Sequence, residues 1–129
     1  MATPETSRLQ IAEHRSGDAT VLALAGEMTI DDGDLAFRKK VHELVESGQV
    51  KLIVDLSRVR YIDSSGIGML VAKMHTVRQK QGDIKLVGLT RRTQSLLSML
   101  KLAMVFETFE DEESAVRRYA FSTRNERND

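Results

Sequence analysis

With 19 basic and 19 acidic side chains in 129 residues, the chain has a formal charge of +0 and offers no basic field to nucleic acid or an anionic membrane. That length suits one domain with a real core, and zero cysteines exclude disulfides, thiol catalysis and cysteine-ligated zinc. No apolar run approaches a membrane span and Met1–Glu5 lacks a signal-peptide pattern, so a cytoplasmic protein without direct membrane contact is expected.

Residues 1–7 are polar and expected to fray, residues 8–120 to form the domain, and residues 121–129 to be a disordered tail. Leu9 and Ile11 alternate with Arg8, Gln10 and Ala12, which predicts a short first strand. Arg15-Ser16-Gly17-Asp18 reads as a turn and Thr20–Ala25 as a second strand, together an antiparallel hairpin ended by Gly26. Asp31, Asp32 and Asp34 then supply the acidic start of a helix, since carboxylates complement the positive end of its dipole. That helix is predicted to run to about Ser47, with Phe37, Val41, Leu44 and Val45 inward and Gly48 as its stop.

The chain is organised around Lys51–Gln81. Leu52, Val54 and Leu56 alternate with Ile53 and Asp55, predicting a strand that gives way to a loop at Ser57. Ile67, Leu70, Val71, Met74 and Val77 recur at helical spacing and make one apolar stripe. Tyr61-Ile62-Asp63-Ser64-Ser65-Gly66-Ile67-Gly68 joins the two. A serine pair at a helix start is a good cap, and the same position tolerates a phosphate.

Gly82-Asp83 is a further turn, and Ile84–Val87 a strand ending at Gly88. Thr90 caps a helix carrying Leu96, Leu97 and Leu100. Val105–Phe109 reads as a short strand and Asp111 to about Ala120 as a last helix. This alternation implies an α/β domain: a mixed, mostly parallel sheet of four or five strands, an antiparallel N-terminal edge hairpin and about four helices. Asp55 and Lys85 interrupt the apolar pattern, so the helices are expected mainly on one face.

Most catalytic chemistry fits poorly. A nucleophile elbow needs glycine two residues before and after the serine, and neither Ser64 nor Ser65 has that. Gly66-x-Gly68 opens a dinucleotide fingerprint whose third glycine position is Val71. His14, His42 and His75 are not paired at ligand spacing, and Asp31, Asp32 and Asp34 lack a calcium-loop series, so no metal or cofactor is expected. A phospho-aspartate receiver would use Asp55, with Asp31 and Asp32 as magnesium ligands and Thr90 as switch. No lysine follows the last strand, however, and Asp55 lies inside its strand.

Ile62-Asp63-Ser64-Ser65-Gly66-Ile67-Gly68-Met69-Leu70, preceded by Leu52–Leu56, resembles the core of a STAS domain, and more narrowly the bacterial anti-sigma-factor antagonists. Leu24-Ala25-Gly26-Glu27-Met28 resembles that family's strand end, and Leu86-Val87, Leu96-Leu97 and Leu102 extend the likeness across roughly residues 8–118. Thr29 and Leu100-Lys101 depart from the family pattern.

The resemblance implies a STAS-like domain whose phosphoacceptor is Ser64; without it, Ser64 and Ser65 read simply as helix caps. It implies a non-enzymatic partner, monomer or weak dimer, that binds an anti-sigma factor with serine-kinase activity when unphosphorylated and so frees a sigma factor. A serine phosphatase would restore it. The implied contact surface is Glu27, Tyr61, Asp63, Ser64, Ser65, Gly66 and Ile67, with Lys73, Thr76 and Lys80 along the following helix. The alternatives are a STAS scaffold or subunit of a stress-signalling or lipid-transport complex with no serine switch, and a small-molecule-sensing STAS domain.

Overall fold

The structure, a computed structural model, describes residues 8–29 and 32–128, with the backbone alone at 32–34 and 122–128. β1 (Leu9–Ser16) and β2 (Ala19–Met28) pair antiparallel from Leu9↔Gly26 to Ser16↔Ala19, so the expected hairpin is present and longer than the pattern suggested. β3 (Lys51–Ile62), β4 (Asp83–Val87) and β5 (Thr108–Phe109) follow in parallel, giving one sheet in the order β1-β2-β3-β4-β5.

Four helices complete the domain: α1 (Asp32–Glu46), α2 (Ser64–Gln79), α3 (Arg91–Met99) and α4 (Glu112–Asn128). The alternation along the strands decides where they pack. Leu22, Leu24, Leu52, Val54, Leu56, Ile84 and Leu86 share a core with Phe37, Val41 and Leu44 of α1, Ile67, Leu70, Met74 and Val77 of α2, and Leu97 of α3. Side chains of opposite parity (Val21, Ile53 and Val87) pack with Ala115 and Tyr119 of α4. Three helices thus cover one face and α4 covers the other, in line with the uneven apolar pattern. Truncating a side chain as completely enclosed as Leu70 costs about 2–5 kcal/mol.

The α4 face accounts for Lys85. Its ammonium is buried, donates to Glu107 Oε1 at 2.7 Å and Asp83 Oδ2 at 3.3 Å, and lies 4.5 Å from the Tyr119 ring centroid. The Tyr119 hydroxyl shares its one proton between the carbonyls of Leu52 and Asp83, tying α4 to both central strands. Burial, reinforced by the Asp83 charge, pushes that hydroxyl far above its ordinary value. Glu107 is held below the ordinary glutamate value, first by its hydrogen bond from Lys85 and then by Arg118, against an opposing cost of burial.

Three sequence expectations are corrected. β3 does not stop at Ser57; it continues to Ile62, with register shifts against β2 between Ala23/Ala25 and Gly26/Glu27. Each shift puts an extra residue in β3, so the buried positions change from Leu52, Val54 and Leu56 to Val59 and Ile62, and the period of two is lost. β5 is shorter than Val105–Phe109, because the Val105 N–H bonds to the Leu102 carbonyl in a turn instead. α4 continues past Ala120 to Asn128, since no proline or glycine interrupts Phe121–Asn128. The acidic start of α1 falls outside the description: Asp31 is not described, nor are the side chains of Asp32 and Asp34.

Candidate functional site

The ends of β2 and β3 run side by side, with Gly26 opposite Val59, Glu27 opposite Tyr61 and Met28 opposite Ile62. Gly26 is required by its neighbours. Its φ is +109° and a Cβ would stand 2.0 Å from the Arg8 carbonyl oxygen. The next N–H, that of Glu27, donates to the same oxygen at 2.8 Å. The Glu27 carboxylate lies 3.9 Å from the Arg8 guanidinium and stays partly exposed.

Ile62 is enclosed in the core and ends β3, so the chain turns into α2 within two residues. Asp63, in extended conformation, is the N-cap: its Oδ1 accepts from the Gly66 N–H at 3.0 Å. The expected capping role of the serine pair is therefore corrected; an aspartate occupies the cap, and both serines lie in the first turn. Ser64 is exposed and Ser65 half-buried. With no acidic residue in its first turn, α2 presents the positive end of its dipole around the Ser64 hydroxyl.

Gly66 and Ile67 are set beneath this surface rather than on it. Gly66 is buried, and a Cβ there would lie 2.4 Å from the Met28 carbonyl oxygen. Ile67 is completely buried in the main core. They hold the head of α2 against β2, so of the expected contact residues these two lie below the surface of the free chain.

Along α2, Lys73 and Thr76 are half-buried and Lys80 is exposed just beyond the helix end. The Thr76 hydroxyl donates to the Ala72 carbonyl at 3.1 Å. At 1.5 Å rise per residue, Lys73, Thr76 and Lys80 lie about 14, 18 and 24 Å along the axis from Ser64. The compact group is Glu27, Tyr61, Asp63, Ser64 and Ser65.

Arg92, on α3, escaped the sequence reading. Its guanidinium lies 4.8 Å from the centroid of the Tyr61 ring, which is 41% exposed. Only the Thr90 cap hinted at it: that cap begins α3 just beyond the C-terminal end of β4, beside the end of β3. Its Oγ1 accepts from the Thr93 N–H.

His14 pairs with Glu112 at 2.9 Å and His42 with Glu46 at 3.0 Å, both on the surface and away from this group. Among the described residues no cluster of three metal-ligating side chains forms, and no helix is long and apolar enough to cross a membrane.

The family model described as "Mlab, STAS domain" matches residues 11–107, which includes this entire group. The chain belongs to the STAS domain family. Within it, the chain is similar to the anti-sigma-B factor antagonist of Listeria monocytogenes, with 33% identity over 99 residues, 74% of this chain and 82% of the relative. It is also 28% identical to the anti-sigma-F factor antagonist RsfB of Mycobacterium tuberculosis over 119 residues, 91% and 95% of the two chains. Its fold matches that of the anti-sigma factor antagonist SpoIIAA in its unphosphorylated form, with a TM-score of 0.72 at 18% identity, covering 85% and 96% of the chains. The phosphorylated form of Bacillus SpoIIAA superposes with a TM-score of 0.67 at 20% identity, covering 84% and 98%.

Proposed function

We propose that this STAS domain is an anti-sigma-factor antagonist switched by phosphorylation of Ser64. Unphosphorylated, it binds an anti-sigma factor that is also a serine kinase, and so frees a sigma factor. Phosphorylation of Ser64 breaks that complex, and a serine phosphatase restores the antagonist. The chain is substrate and ligand here, not enzyme.

The observation that carries this reading is the position of Ser64: an exposed hydroxyl in the first turn of α2, beside the Asp63 cap. Phosphorylation adds about −1.5 to −2 charges. The helix dipole offsets part of that charge, so the fold accommodates it. A partner packed over Glu27, Tyr61, Asp63 and Ser65 meets a bulky dianion beside two carboxylates, and desolvating it is costly. The modification therefore acts on association more than on folding. Lys73, Thr76 and Lys80 extend the proposed contact along α2. The names of the Listeria and Mycobacterium relatives support the partner class.

The test is incubation of wild type and Ser64→Ala with ATP and each serine kinase of the same organism, read by intact mass. One phosphate on wild type and none on Ser64→Ala is the expected result. A tight complex in which no kinase modifies the wild type would replace the switch with a scaffold role.

A further inference from the structure

β3 is longer than the sheet needs on one side. It pairs with β2 as far as Ile62, but with β4 only from Lys51 to Asp55. Beyond Val87 only Gly88 packs against β3, at Ser57, before the chain turns away into α3, so the rest of the β4-facing edge to Ile62 has no strand beside it. Among the described residues no backbone hydrogen bond from α3 or its loop fills that edge. A cleft of about 380 Å³ lies there instead, walled by Ser57, Arg58 and Arg60 of β3 and by Thr90, Arg92 and Thr93 around the start of α3.

The cleft has one sign of charge. Arg58, Arg60 and Arg92 are exposed, and none takes part in an ion pair among the described residues. The adjoining carboxylate, Asp55, turns its Oδ1 back onto the Ser57 N–H at 2.9 Å. The Arg92 guanidinium rests on the Tyr61 ring, which holds it in place without neutralising it. An open strand edge is a template for backbone hydrogen bonding, and proteins commonly cover or blunt one. Arginines beside such an edge select an acidic segment, because their planar forks bind carboxylates in pairs.

We propose that the β3 edge at Ser57–Ile62 is a second docking site, which takes an extended acidic segment of a partner protein as an added strand between β3 and α3. Main-chain hydrogen bonds to β3 give the affinity, and carboxylates facing Arg58, Arg60 and Arg92 set register and specificity. The site borders the proposed Ser64 contact surface at Tyr61, but it lies on the β4 side of β3 and uses none of the first-turn residues of α2, so the proposal does not depend on Ser64.

The test uses the full chain, ¹⁵N-labelled, with a synthetic peptide of alternating glutamate and threonine as probe. A lysine–threonine peptide of the same length, inorganic phosphate and ATP serve as comparisons. Expected are amide shifts confined to Ser57–Ile62 and Thr90–Thr93, slowed hydrogen exchange at edge-facing amides of Arg58–Ile62, and no response to the lysine peptide. Arg60→Glu/Arg92→Glu should weaken the acidic peptide roughly tenfold or more while keeping a wild-type spectrum elsewhere. Ser64→Asp should bind it as wild type does. Equal binding of the lysine peptide, shifts without exchange protection, the same shifts from phosphate or ATP alone, or no binding would each overturn the added-strand site.

Discussion

Gly66 sits directly under the carbonyl of Met28: a Cβ on Gly66 would lie 2.4 Å from that oxygen and 2.8 Å from Cγ1 of Ile62. The head of α2, and with it Ser64, is therefore seated on the end of β2 at backbone distance. Gly68, two residues on, faces open space, and a Cβ there would meet nothing within 4 Å. Gly66→Ala should cost about 1–3 kcal/mol, the usual penalty for forcing atoms into a packed site. Gly68→Ala should instead be neutral or stabilise by up to about 1 kcal/mol, from helix propensity alone. Urea denaturation of the two variants checks the contrast.

The Asp63 cap predicts a graded series. Asp63→Ala leaves the Gly66 N–H without its 3.0 Å acceptor and should lose about 1 kcal/mol, whereas Asp63→Asn keeps an acceptor oxygen and should lose much less. Both are measured by chemical denaturation followed by circular dichroism.

Tyr119 fastens α4 to the sheet, so Tyr119→Phe should destabilise by about 1–2 kcal/mol through loss of the hydroxyl proton shared between the Leu52 and Asp83 carbonyls. The hydroxyl also shapes the alkaline limb. Its folded value lies above the ordinary 10.0, so above that pH the unfolded chain releases a proton that the folded protein keeps. Stability therefore falls as pH rises past about 10. The gap between wild type and Tyr119→Phe should narrow over the same range, read from urea midpoints at each pH.

Glu107 shapes the acid limb with the opposite sign. Its folded value lies below the ordinary 4.5, so its contribution is present above that pH and fades as pH falls through the lowered folded value. Glu107→Gln should be less stable than wild type at neutral pH and should converge with it as acid titrates the wild-type carboxylate. Thermal midpoints across the acid range check this.

The sequence made the succession of strands and helices along the chain legible because Leu52-Val54-Leu56 and Ile67-Leu70-Met74-Val77 each keep a clean period into one core. It hid the second half of β3, where two register shifts move the buried positions to Val59 and Ile62 and a strand looks like a loop. At the site, position before a helical stripe marked only a cap, and it was the family resemblance that singled out Asp63 and Ser64. That Asp63 caps and Ser64 does not is decided by backbone conformation, which spacing leaves open. The burial of Gly66 was not readable, because it depends on Met28 across the sheet, whereas Ile67 already belonged to the helical stripe. Arg92 was out of reach, since only the fold brings it onto Tyr61.

The central claim is that phosphate on Ser64 controls association and leaves the fold intact. Its most direct test is isothermal titration of the serine kinase that modifies this protein with the unmodified and the Ser64-phosphorylated chain, alongside their melting temperatures. The account predicts tight binding of the unmodified chain, binding weaker by roughly a hundredfold or more after phosphorylation, and melting temperatures within a few degrees of each other. Equal affinities, or an affinity loss that comes with a collapsed melting temperature, would contradict it.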